Sequence, residues 1–183
     1  MKTKSGILQQ RAFTLIELLV VVVIIAILAA LAVPSLLNAQ ARAKVSRVRA
    51  DMRTIQGSLA AYRVDERMYP PAAIDDAMLE HPLRALTTPV SYMSSIPVDP
   101  FGAAPLDFLP DVKLLGYQYC DAVTTSVGIP GETYGAIWRE NPRLQYMLHS
   151  CGPNRVWDVT PYVDYDPTNG VVSRGDICAF GSI

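Results

Sequence analysis

Twenty-one consecutive residues, Phe13 to Val33, carry only two polar side chains, Thr14 and Glu17. A helix crossing the hydrocarbon core of a bilayer needs roughly twenty residues of this kind, so the run is long enough to span one. The rest of the 183-residue chain, with its 14 prolines and 11 glycines, leaves room for one modest domain. Half of all residues are hydrophobic, but much of that excess lies between Phe13 and Leu37, and the remainder has the composition of an ordinary soluble domain. The net charge is −1 with no acidic or basic tail, so nothing in the overall balance points to nucleic acid as the main partner.

The flanks of the run leave its orientation open. Lys2, Lys4 and Arg11 precede it, which favours a cytoplasmic N-terminus, but Arg42, Lys44, Arg47 and Arg49 follow on the other side. A secretory signal peptide would offer small-x-small sites at Ala30-Leu31-Ala32 and Ala39-Gln40-Ala41, yet its apolar region is normally only about 7 to 15 residues. A plain uncleaved anchor explains the length. It leaves unexplained a carboxylate, Glu17, near the start of a segment where a mid-bilayer charge costs ~3 kcal/mol.

The stretch Arg11-Ala12-Phe13-Thr14-Leu15-Ile16-Glu17-Leu18-Leu19 resembles the processing motif of type IV pilins and type II secretion pseudopilins. That resemblance implies cleavage by a prepilin peptidase between Ala12 and Phe13 and N-methylation of Phe13. Ala12 stands where the family usually has glycine. Glu17 is the fifth residue after the cut, and Pro34 falls at the family's usual place within the helix. Cleavage would create a positive amine on Phe13 among apolar helices, and a buried charge must be paired. The resemblance implies that Glu17 neutralises the amine of a neighbouring subunit as helices stack into a filament.

Beyond the apolar run, Val45, Val48, Met52, Ile55, Leu59 and Tyr62 recur at alternating steps of three and four, the stripe of one helix face. Arg42, Lys44, Arg47, Arg49 and Arg53 lie mainly off that stripe, either as a solvated face or as a phosphate- or lipid-binding patch. Pro34 removes one backbone hydrogen bond and should kink or loosen the helix. Gly57 reads as a close-packing point. The helix should stop before Tyr69-Pro70-Pro71, giving a rod from about Phe13 to Arg67.

A proline-punctuated middle follows, with a short helix expected around Ile74 to Leu86. Strands are expected around Leu114 to Val123, Tyr134 to Glu140 and Leu144 to Gly152, with a hairpin turning at Asn169-Gly170. The phrases Thr87 to Gly102, Tyr165 to Gly170 and Gly175 to Ile177 resemble the connecting segment and C-terminus of proteins similar to the major type II secretion pseudopilin.

Three constellations carry possible chemistry. Asn154, Asp158, Asp164, Asp166 and Asp176 supply hard oxygens that could serve calcium, the ion carried by major secretion pseudopilins in a comparable region, or could simply cap turns. The ligand spacing is irregular, so no metal-ligating residue is assigned. Cys120, Cys151 and Cys178 could form one disulfide with one thiol left over, or remain buried thiols. Pairing of Cys151 with Cys178 would close a loop of roughly 27 residues, worth ~3 kcal/mol in the chain-entropy model. His149-Ser150-Cys151 is too local for a nucleophile and base, since His149 and Cys151 merely share a strand face. No catalytic residue is assigned.

The reading is an α+β, pilin-like chain: leader 1–12, transmembrane and assembly helix 13–37, amphipathic helix 38–67, and an extracytoplasmic domain with an antiparallel sheet, 68–183. The resemblance implies a structural subunit of a type II secretion pseudopilus-like filament. Its partners would be copies of itself and other pseudopilins, the prepilin peptidase/methyltransferase, an assembly platform protein and ATPase, and the bacterial inner membrane, with the N-terminus cytoplasmic. Two alternatives are a type IV pilus subunit and a permanently anchored binding domain.

Overall fold

The computed structural model describes residues 13–72, 82–102, 105–106, 109–113, 116–122, 137–156, 163–169 and 173–182. One helix dominates it. Helix α1 runs unbroken over Leu15–Glu66, 52 residues, with Pro34 inside it. Pro34 has no N–H to give the carbonyl of Ala30, yet the helix continues on both sides. Arg67 ends it in the left-handed conformation, φ 61°, its N–H donating to the Arg63 carbonyl at 2.9 Å. Pro70 and Pro71 follow within four residues and cannot extend the ladder.

The chain forms two compact units, Met1–Ala39 and Gln40–Ile183. In the first, every described large apolar side chain lies open, from Val21 at 46% exposure to Leu15 at 83%. In the second, the anticipated stripe is the core: Val45, Val48, Met52, Ile55 and Leu59 are buried and Tyr62 packs against them. Gly57 is not a packing point. It is exposed, and a Cβ there would meet nothing within 4 Å.

Strands β1 (Pro105–Leu106) and β2 (Leu109–Lys113) make a small antiparallel pair. Strands β3 (Gln118–Asp121), β4 (Leu144–Ser150) and β5 (Ile177–Ser182) form an antiparallel sheet with β4 in the centre. The pleat sends Tyr119, Tyr146, Leu148 and Ile177 into the core they share with α1. The other face holds Cys120 and Met147, with Cys178, Phe180, Ile137 and Trp138 packed against them. Both faces are therefore covered.

Three expectations change. The segment Tyr134 to Glu140 is not a strand where it is described: Ile137 to Glu140 is a helical turn, closed by Asn141 donating to the Ile137 carbonyl from its backbone N–H at 3.0 Å and from Nδ2 at 3.2 Å. Pro142 stops it, and the turn lays Ile137 and Trp138 over the sheet's second face. The expected C-terminal hairpin differs in its described part. Pro167–Asn169 is a 3-10 turn, the upstream segment forms a parallel bridge between Asp164 and Asp176, just ahead of β5, and β5 itself pairs with β4. Gly170 lies outside the described residues. Of the helix expected over Ile74 to Leu86, the described part is a 3-10 turn, Pro82–Leu86, residues 73–81 lying outside the described set.

The proline-rich strap from Thr87 to Gly102, which contains a cis Thr88–Pro89 bond, lies along α1. Tyr92 and Met93 donate backbone N–H groups to the Leu86 carbonyl at 2.9 and 3.1 Å. The Tyr92 hydroxyl donates to Asp65 at 3.0 Å, its ring meets Tyr62 edge-on at 5.4 Å, and its carbonyl accepts from Ser58 at 3.3 Å. At the other end Lys44 lies 5.9 Å over the ring of Phe101. Tyr117 donates to Asp51 at 2.8 Å, Tyr119 to the Pro70 carbonyl at 2.8 Å, and the Ala72 N–H to Asp121 at 2.5 Å. These bonds fasten helix, strap and sheet together while satisfying polar groups that burial would otherwise strand.

Candidate functional site

The start of α1 is built by two residues. Glu17 accepts the Thr14 backbone N–H at 2.9 Å and its hydroxyl at 2.7 Å, and the Thr14 hydroxyl oxygen accepts the Glu17 N–H at 3.3 Å. This is a reciprocal capping box, which satisfies two of the donors a helix leaves unbonded in its first turn. Glu17 is thus held against the Phe13–Thr14 end of the helix, one residue from the bond that cleavage would break. Phe13 itself is 72% exposed, and Ala12 lies outside the described residues.

Sequence reasoning named Glu17 and Phe13 but missed Thr14. The signal was present: a threonine three residues before a glutamate, ahead of an apolar run, is a capping-box signature. Pro34 falls in the same helix, seventeen residues beyond Glu17. The helix is long and apolar enough to cross a membrane, and its most apolar window is 0% buried within the chain. So much exposed apolar surface requires lipid or other helices around it.

Among the described residues, the members of the other constellations take structural roles. Asp166 accepts the Thr168 N–H at 2.8 Å and hydroxyl at 2.7 Å, bonds that hold its carboxyl below the usual carboxylate range, and Asn154 accepts the Val156 N–H at 3.3 Å. Both cap turns. Asp158 lies outside the described residues. Asp176 is buried, its Oδ2 3.6 Å from His149 Nε2, too long for a hydrogen bond. Burial drives the His149 imidazole down to about 4, so it is neutral at physiological pH.

Cys120, Cys151 and Cys178 are thiols, and the sheet register explains why. Cys120 on β3 pairs with Met147 and Cys178 on β5 with His149, so β4 separates them and, with the two-residue offset along it, their Cα atoms are about 12 Å apart. Cys151 follows Ser150, whose partner is Ile177, which places it diagonally from Cys178 at about 7–8 Å. A disulfide needs Cα atoms at about 4.4–6.8 Å. The bridge between Cys151 and Cys178 considered from sequence is therefore not made.

A family model described as the prokaryotic N-terminal methylation motif matches residues 7–33, and one described as type II secretion system protein G matches residues 35–110. The chain is 37% identical over 99 residues to the type II secretion system core protein G of Pseudomonas aeruginosa, covering 51% of this chain and 70% of that protein. It is 33% identical over 99 residues to the core protein G of Escherichia coli, covering 51% and 68%. Against the core protein G of Klebsiella pneumoniae it is 33% identical over 100 residues, covering 52% and 71%. No solved structure matches the chain.

Proposed function

Because this chain belongs to the type II secretion system protein G family, the structural major pseudopilins, we propose how its residues carry a subunit from membrane precursor to filament. The precursor is anchored in the inner membrane by the apolar half of α1, with leader 1–12 on the cytoplasmic side and the domain of residues 68–183 in the periplasm. A prepilin peptidase cuts between Ala12 and Phe13 and methylates the new amine. Residues 13–37 serve as both anchor and assembly helix, and residues 38–67 tie that helix to the domain.

The capping box carries this reading. It explains how a carboxylate is tolerated in the first turn of an apolar helix before assembly: Thr14 satisfies it. After cleavage the same carboxylate stands beside its own chain's amine. During extraction by the platform protein and ATPase it transfers to the amine of the next copy, so that only the correct stagger leaves no buried charge unpaired. Apolar contact between the bare halves of neighbouring helices supplies the cohesion, and Pro34 loosens the helix between them.

The mass of the N-terminal peptide from protein purified out of its native membrane tests this. A chain starting at methylated Phe13 is expected. A start at Val33 or Arg42, or an intact leader, would remove the processing step and with it the role given to Glu17.

A further inference from the structure

We infer that the part of α1 following the apolar run is a binding site for anionic phospholipid headgroups while the subunit resides in the membrane. The inference rests on the membrane-anchored reading above. Arg42, Arg49 and Arg53 are all exposed, and at separations of seven and four residues they lie within about 20° of one line on the helix surface. None of the three meets a carboxylate among the described residues. Their neighbours are already engaged: Arg47 lies 3.7 Å from Asp51, and Lys44 lies over Phe101.

Between Ala39 and Thr54 the helix carries five cations, Arg42, Lys44, Arg47, Arg49 and Arg53, against one anion, Asp51. The first cation follows Leu37, the end of the apolar run, by only five residues. Basic residues flanking a span on the translocated side oppose insertion, so a ligand that stabilises them there offsets a cost the chain otherwise bears. Phosphodiester groups match guanidinium forks, and a basic cluster beside a membrane helix is held within the reach of a negative lipid surface.

A second copy is the poorer occupant. Copies anchored by the same run hold these arginines at the same depth, so like charge meets like. The next acids along α1, Asp65 and Glu66, come at least twelve residues beyond Arg53.

The full chain would be reconstituted in phosphatidylcholine containing a minor fraction of phosphatidylglycerol, excised with a styrene–maleic acid polymer, and the co-purified lipid quantified. Phosphatidylglycerol should be enriched about two-fold or more over the bulk bilayer, and about 0.5 M salt should abolish this. R42Q/R49Q/R53Q should return the fraction to bulk, R42K/R49K/R53K should keep most of it, and inorganic phosphate should not displace it. Equal lipid fractions around wild type and the glutamine variant would overturn the inference and leave the anchored reading intact. Displacement by phosphate would mean a site for free anions, and loss from the arginine face of a cross-linked dimer in the glutamine variant alone would mean a protein partner; either overturns the lipid assignment. Wild type that washes out of the bilayer would overturn both readings.

Discussion

His149 Nε2 stands 3.6 Å from Asp176 Oδ2, with both side chains sealed from solvent at 1% and 0% exposure. The pair lies on the face of the sheet away from α1. His149 is flanked across the strands by Gln118 and Cys178, and Trp138 covers the neighbouring core of Cys120 and Met147.

The His149 imidazole is held near 4 in the folded chain and rises to its ordinary 6.5 on unfolding. The unfolded state therefore binds the extra proton between those values, and stability falls as pH drops through 6.5 toward 4. Denaturant melts of the detergent-solubilised chain should show a plateau above about pH 7 and a loss of a few kcal/mol at most by pH 4. In His149→Gln the part of the slope near pH 6 should disappear. An unchanged slope there would show that other groups control the acid limit.

Two glycines should respond in opposite directions. A Cβ at Gly181 would overlap Cε1 and Cζ of the Tyr146 ring, which stacks edge-on against Tyr69 at 4.7 Å. Gly181→Ala should cost about 1–3 kcal/mol through overpacking. Gly57 is an exposed helix glycine with nothing near its missing side chain, so Gly57→Ala should stabilise by about 0.5–1 kcal/mol. Thermal melts of the two variants check both signs, and a destabilising Gly57→Ala would reveal a contact at that face.

Glu17 caps the helix, and the proposed assembly role of its charge is separable from that cap. Glu17→Gln retains an acceptor for the Thr14 N–H and hydroxyl and removes the charge, whereas Glu17→Ala removes both. Both variants should insert and be cleaved, and both should fail to form filaments in shearing assays. Normal filaments from Glu17→Gln would show that the carboxylate's charge plays no part in assembly.

The three cysteines should remain thiols even in an oxidising compartment. Alkylation of the folded chain should label half-buried Cys178 before buried Cys120 and Cys151, and denaturation without reductant should then expose all three. Detection of a chain containing an intramolecular disulfide would contradict the sheet register.

What the sequence by itself determined was whatever depends on periodicity and local chemistry. The apolar run from Phe13, the buried stripe from Val45 to Tyr62 and the stop before Pro70 follow from 3.6-residue spacing and from proline's missing N–H, and they need no distant partner. The cleavage motif is likewise local. Tertiary structure alone decided the rest. Ile137 and Trp138 are the β-branched and aromatic types that strands favour, yet they fold as a helical turn whose apolar surface caps the sheet's second face. Strand β5 takes β4 as its antiparallel partner, while Asp176 just ahead of it bridges the upstream Asp164 in parallel, a choice between long-range pairings that a short alternating pattern cannot encode. The neutrality of His149 and the separation of the cysteines arise in the same way, because burial and register exist only once three distant strands lie side by side.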